Sequence, residues 1–285
     1  MKSIKYLFIY IAAAMIFVAC GGKKSSDKDI IYVSIAPIKP IVEAIVGDDF
    51  EIKVLVPAGA SPETFEPTPK QFVELNKANL VFGTGVLDFE KSLLQRIHNQ
   101  SKVIDLSCGI ELIEGSCSHA HHSHHCHHGI DPHIWCSPKS LAIMATNAYN
   151  AIVAAMPEAT DYADNYTVLA DRILALDEEV AELCKAASLP YFIIYHPALT
   201  YLARDYNLEQ IAIEDEGKEP SAKHISQIID LARNNGIKRV FYQQEFPESS
   251  VEVICEDIGA QSVAINPLAE DIFDNIRQIA YLITE

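Results

Sequence analysis

The chain has 285 residues, a formal net charge of −17 and a hydrophobic fraction of 49%. That balance argues against nucleic acid and anionic lipid headgroups as partners, and it suits long-range attraction of cations. The length allows a sizeable core, in one large domain or two of ordinary size.

The first element is a leader. Lys2 and Lys5 precede an apolar run from Tyr6 to Val18, long enough for a signal peptide and short for a transmembrane helix. Residues 1–19 are therefore expected to be a signal peptide. Phe17-Val18-Ala19-Cys20, followed by Gly21-Gly22, resembles the lipobox of bacterial lipoproteins, which implies lipidation of Cys20 and a polar tether over residues 20–29. The six other cysteines would then lie in an oxidising compartment that permits disulfides, with Cys184 and Cys255 one conceivable pair.

An N-terminal α/β lobe is expected over residues 30–136. Strand and helix alternate in it: a strand at 30–35, a helix ending near Gly47, a strand at 50–56, a helix at 70–78, a strand at 80–83, a helix at 89–98 and a strand at 103–106. Such alternation points to a parallel sheet with helices on its faces. Residues 137–188 read as helical. Ser137-Pro138 opens a helix running to about Ala155, and a longer one follows Pro157. In the latter Tyr162, Tyr166, Leu169, Ile173, Leu176, Val180 and Leu183 form a stripe at helical period. A rod of roughly 27 residues, about 40 Å, is long enough to cross two lobes. Alternation resumes in a C-terminal α/β lobe over residues 189–285. Its strands are expected at 191–195, 210–213, 239–242 and 262–265, and its helices at 198–205, 221–234, 249–258 and 272–282.

The run 117–128 carries seven imidazoles, on His119, His121, His122, His124, His125, His127 and His128, and two thiols, Cys117 and Cys126. It cannot build a core and reads as a loop; imidazole with thiolate favours Zn²⁺, Cu or Ni²⁺ over hard cations. Ordering such a loop around an ion costs backbone entropy, so a preorganised site is expected elsewhere. His133, in Asp131-Pro132-His133-Ile134-Trp135, stands alone in sequence. His196 follows an expected strand, where side chains enter the ligand crevice of an open α/β sheet. Each histidine by itself is equally compatible with an ordinary structural role.

Taken together, five segments resemble the zinc- and manganese-binding solute-binding proteins of ABC importers, the TroA-like cluster. They are PAGASPETFEPTP at 57–69, DPHIWCSP at 131–138, YHPALTYLARD at 195–205, IEDEGKEPS at 213–221 and INPL at 265–268. DPHIW behind a histidine-rich loop is similar to the zinc branch. The resemblance implies two similar lobes joined by one long backbone helix, with the metal in the cleft between them. It implies a chain without enzymatic activity that captures Zn²⁺ outside the cytoplasm and delivers it to a membrane permease. Such a chain would be a monomer held to the membrane by its lipid.

His133 and His196 match two ligand positions of that family. Glu63 stands where the family usually has histidine, and Asn266 where it often has aspartate, with water the alternative fourth partner. Glu63 and His133 are 70 residues apart, as are His196 and Asn266. Glu245 is the foremost candidate for orienting an imidazole from behind, ahead of Glu66, Glu214, Glu216, Glu219 and Gln244. Two other functions remain open: a manganese-selective protein of the same family and a secreted zinc hydrolase. No H-E-x-x-H motif supports the hydrolase.

Overall fold

The computed structural model describes residues 28–114, 129–214 and 220–285. The leader, Cys20, the histidine-rich run 117–128, Glu216 and Glu219 lie outside them.

The first lobe is built from β1 (Asp29–Val33), α1 (Lys39–Val46), β2 (Phe50–Val54), α2 (Pro69–Lys77), β3 (Leu80–Gly83), α3 (Asp88–Leu94) and β4 (Val103–Asp105). All pairings are parallel, in the order β2-β1-β3-β4. Strands covered on both faces read as unbroken apolar runs, and Leu80 to Gly83 is buried throughout. Local signals set the helix ends. Thr68 and Gln71 form a reciprocal capping box at the start of α2, and Gly47, at φ 57°, ends α1 in a region that few residues other than glycine enter.

Two helices follow, α4 (Pro138–Ala155) and α5 (Tyr162–Ala186), and then the second lobe. It comprises β5 (Tyr191–Ile194), α6 (Thr200–Asp205), β6 (Glu209–Ala212), α7 (Ala222–Asn235), β7 (Arg239–Gln243), α8 (Ser249–Ile258), β8 (Gln261–Ile265) and α9 (Ile272–Thr284). Its sheet, β6-β5-β7-β8, is again wholly parallel and repeats the order of the first.

The 25 residues of α5 span about 38 Å. Its first turns are tied to the first lobe, where Tyr162 donates to Asp49 at 2.8 Å and Asn165 to the Ile45 carbonyl at 2.9 Å. Its later turns are tied to the second. The Arg172 guanidinium lies 4.1 Å from the Phe273 ring, Tyr206 donates to Asp177 at 2.6 Å, and Arg277 donates to Glu179 at 2.7 Å. Of the expected stripe, Tyr162, Leu169, Ile173, Leu176 and Val180 are buried, whereas Tyr166 and Leu183 are half-buried.

One apolar cluster joins the first lobe, α4, α5, α9 and one face of the second sheet; a smaller one fills the other face beneath α7 and α8. Cys184 belongs to the first cluster and Cys255 to the second, and both are free thiols, so the conceivable pair does not form. No described helix is long and apolar enough to cross a membrane.

Candidate metal centre

In each sheet the first strand is flanked by the second on one side and the third on the other, and open parallel sheets take ligands beyond the strand ends at such reversals. His196 lies two residues past β5. Gln243, the last residue of β7, holds its backbone from both sides: the His196 N–H donates to Oε1 at 3.3 Å, and Nε2 donates to the His196 carbonyl at 2.5 Å. Behind the ring, Glu214, two residues past β6, stands 2.7 Å from Nδ1.

His133 is set by a shorter device. Asp131 Oδ1 accepts the His133 backbone N–H at 2.9 Å and faces its ring Nδ1, also at 2.9 Å, across the fixed turn at Pro132. A single 3₁₀ turn, Ile134–Cys136, follows. There Trp135, 1% exposed, donates its indole N–H across to the Pro267 carbonyl of the other lobe at 2.9 Å. Both rings are thus buried, oriented and aimed at each other, at 8% and 9% exposure.

Glu63 completes the group from the irregular segment between β2 and α2. Its carboxylate is 43% exposed. Glu63 Oε1 lies 3.1 Å from His196 Nε2 and 3.9 Å from His133 Nε2, and the two Nε2 atoms are 3.3 Å apart. Zinc bonds of about 2.0–2.1 Å in a tetrahedron separate ligand atoms by about 3.3 Å, so the three spacings bracket the edge of a zinc coordination sphere. The chemistry agrees with the spacing. Carboxylates behind both Nδ1 atoms favour the tautomers that carry their proton there, which turns two lone pairs and a carboxylate oxygen onto one point. A cation at that point satisfies all three.

Without metal that cation is a proton. Burial alone would lower the His196 pKa, but its hydrogen bonds to Glu214 and Glu63 outweigh burial and raise it from 6.5 to about 10. The same bond to His196 draws Glu63 below the ordinary carboxylate range against the effect of burial. Burial pushes Asp131 upward, yet its bonds to His133 bring it net below its ordinary value. The cleft holds about 30 Å³, which suits an ion with a water and is too small for an organic solute.

Other expected residues fall differently. Asn266 does not line this cleft, although Pro267 and Leu268 do. Its side-chain oxygen accepts the Leu268 N–H at 3.0 Å, and its carbonyl accepts from Asn275 at 2.8 Å. Glu245 borders the cleft, but the carboxylates behind the two rings are Glu214 and Asp131. Asp131 lies inside the DPHIW motif and was legible there, since an aspartate two residues before a histidine and followed by proline is suited to bond that residue's own N–H.

Comparison with known proteins places this geometry. The profile of the family described as zinc-uptake complex component A, periplasmic, matches residues 31–283. A putative metal-binding protein of Chlamydia muridarum is 30% identical over 263 residues, covering 91% of this chain and 92% of its own. The high-affinity zinc uptake system protein ZnuA of Bacillus subtilis is 28% identical over 282 residues, covering 92% and 88%. A crystal structure of ZnuA superposes with a TM-score of 0.82 at 34% identity, over 90% of this chain and 98% of that one. A ZnuA deletion mutant with zinc bound gives 0.81 at 34% identity, over 90% and 97%.

Proposed function

This chain belongs to the zinc-uptake complex component A family of periplasmic proteins, and on that premise we propose how its cleft takes up its cargo. The protein is an extracytoplasmic zinc-binding component of an ABC-type importer. In our reading Glu63, His133 and His196 supply three of the four zinc ligands, one from an irregular segment and two from braced rings. The observation that carries this reading is the convergence of the three ligand atoms within 4.8 Å of one another. Water is the fourth ligand, since Asn266 does not line the cleft and its amide oxygen is turned to the Leu268 N–H. Two imidazoles at tetrahedral spacing suit zinc better than manganese, which favours oxygen-rich octahedral shells.

The finer statements belong to the same proposal. Cys20 carries the lipid that holds the protein at the membrane, and the protein works there as a monomer. The histidines at 119–128 gather zinc weakly and raise its concentration at the cleft, and the tight site is the one at Glu63, His133 and His196. The protein has no hydrolytic activity: Glu63 sits at ligand distance and so is not free to act as a base, and the cleft leaves no room for an organic substrate. Calorimetric titration of the mature chain with Zn²⁺ and Mn²⁺ tests the site. One tight zinc equivalent is expected, lost in both His133→Ala and His196→Ala; retention of that equivalent in either variant would overturn the assignment.

A further inference from the structure

We propose that Tyr201 is a positioning residue for zinc, its hydroxyl locking the lobe that carries His196 to the segment that orients His133. The inference rests on the site reading above. Tyr201 lies in α6, five residues after His196, and is 0% exposed. Its hydroxyl reaches into the first lobe, where it accepts the Ile113 N–H at 3.2 Å and donates to the Asp131 carbonyl at 2.8 Å. Those two residues are also joined to each other, the Asp131 N–H donating to the Ile113 carbonyl at 2.9 Å. One hydroxyl therefore closes a small ring of hydrogen bonds. The Asp131 carboxylate, on the same residue, fixes both the backbone and the ring of His133.

The route from one imidazole to the other is consequently short and made of buried groups: His196, the turn into α6, the Tyr201 hydroxyl, Asp131, His133. Next to it Arg204 stacks 5.1 Å from the Tyr201 ring and donates to the Glu111 carbonyl at 2.6 Å, which seats the same helix on the same segment. Removing the hydroxyl would leave the buried Asp131 carbonyl and the half-buried Ile113 N–H without their partner, and the cheapest relief is a shift of the 111–113 and 131 segments away from α6. That shift would carry Asp131, and with it His133, out of register with His196. Groups that orient metal ligands from behind typically contribute about 10–100-fold to metal affinity.

The test is Tyr201→Phe, which keeps the packed ring and deletes one oxygen. Expected are zinc binding weaker by about tenfold, by the measure of such outer groups, faster zinc release to a chelator in stopped flow, and an altered visible spectrum of the Co²⁺-substituted protein. Wild-type affinity, release rate and cobalt spectrum together would overturn the proposal. Tyr162→Phe, which deletes the hydroxyl bonded to Asp49 on α5, is the control for general loosening. If it accelerates zinc release as much as Tyr201→Phe, the positioning role is also refuted. Failure of the site reading is distinguishable, because it would appear as tight zinc binding in His133→Ala or His196→Ala.

Discussion

His196 and Glu63 meet at 3.1 Å and are held in opposite ways. The imidazole is pinned by Gln243 through its backbone and by Glu214 through Nδ1, inside a buried strand end. The carboxylate hangs from an irregular segment, its backbone N–H resting on Ser61 Oγ at 3.3 Å and nearly half of its side chain open to solvent. His133 sides with His196, braced by Asp131. A site that must seize an ion and later surrender it gains from that asymmetry. Two preorganised nitrogens lose little entropy on binding, and one exposed oxygen can leave without unpacking a core. The braced rings should set affinity, and the free carboxylate the rate of exchange.

The sharpest break of this comparison is at the braces. Glu214→Gln and Asp131→Asn preserve size, yet each amide can offer its N–H to Nδ1 and so favour the wrong tautomer, with Nε2 protonated. Each is expected to weaken zinc binding by about 10–100-fold while the fold persists by circular dichroism. Glu63→Gln removes charge from the unbraced member of the proposed site. It should cost less affinity than either brace substitution and show mainly as faster release to a chelator. A Glu63→Gln loss larger than that of Glu214→Gln would reverse the division of labour.

Protons give a second handle on the same contrast. Metal-free His196 stays protonated until about pH 10 through Glu214 and Glu63, so zinc entering near neutral pH must displace that proton. About one proton released per zinc is expected between pH 7 and 9, read as the dependence of calorimetric enthalpy on buffer ionisation heat, with affinity rising as pH rises. The sign for stability is opposite. A pKa raised in the folded state stabilises the metal-free protein fully below about pH 6.5, and that contribution fades as pH climbs through about 10. In Glu63→Gln the imidazolium loses one of its two partners, so fewer protons should be released near pH 9. Unchanged proton release would mean that Glu63 does not touch the proton at all.

The duplicated lobes were legible because their signals are local: apolar runs of strand length, Ser137-Pro138 at a helix start, Gly47 at a helix end, and a seven-member stripe along α5. All seven members of the stripe face the core, five buried outright and Tyr166 and Leu183 packed half-buried at its margin. The candidate site was half legible. The motifs marked His133, His196 and Glu63 through resemblance, but which carboxylate stands behind which ring depends on how β5 and β6 lie side by side. No linear spacing encodes that, so Glu245 drew more weight than Glu214. Tyr201 was hidden in the same way: it lay within the quoted YHPALTYLARD segment, and only the approach of α6 to residues 113 and 131 shows what its hydroxyl meets.

Asn266 offers the mildest perturbation. The equal spacing of the two residue pairs suggested a site with one ligand pair from each lobe, and in the metal-free chain the Asn266 side chain is engaged in its own turn. Asn266 closes the turn after β8, its amide oxygen taking the Leu268 N–H and its carbonyl taking the Asn275 amide. Both bonds shape the segment that presents Pro267 and Leu268 to the cleft. Asn266→Ala deletes the side-chain bond and keeps the carbonyl, so it should lower stability by about 1 kcal/mol, the net worth of one such bond. Zinc affinity should stay unchanged within error, because Trp135 still fixes the Pro267 carbonyl from the opposite lobe. A loss of affinity approaching that of Glu214→Gln, with no change in denaturation midpoint, would mean that the amide turns to the metal when zinc arrives and that the fourth position belongs to Asn266 after all.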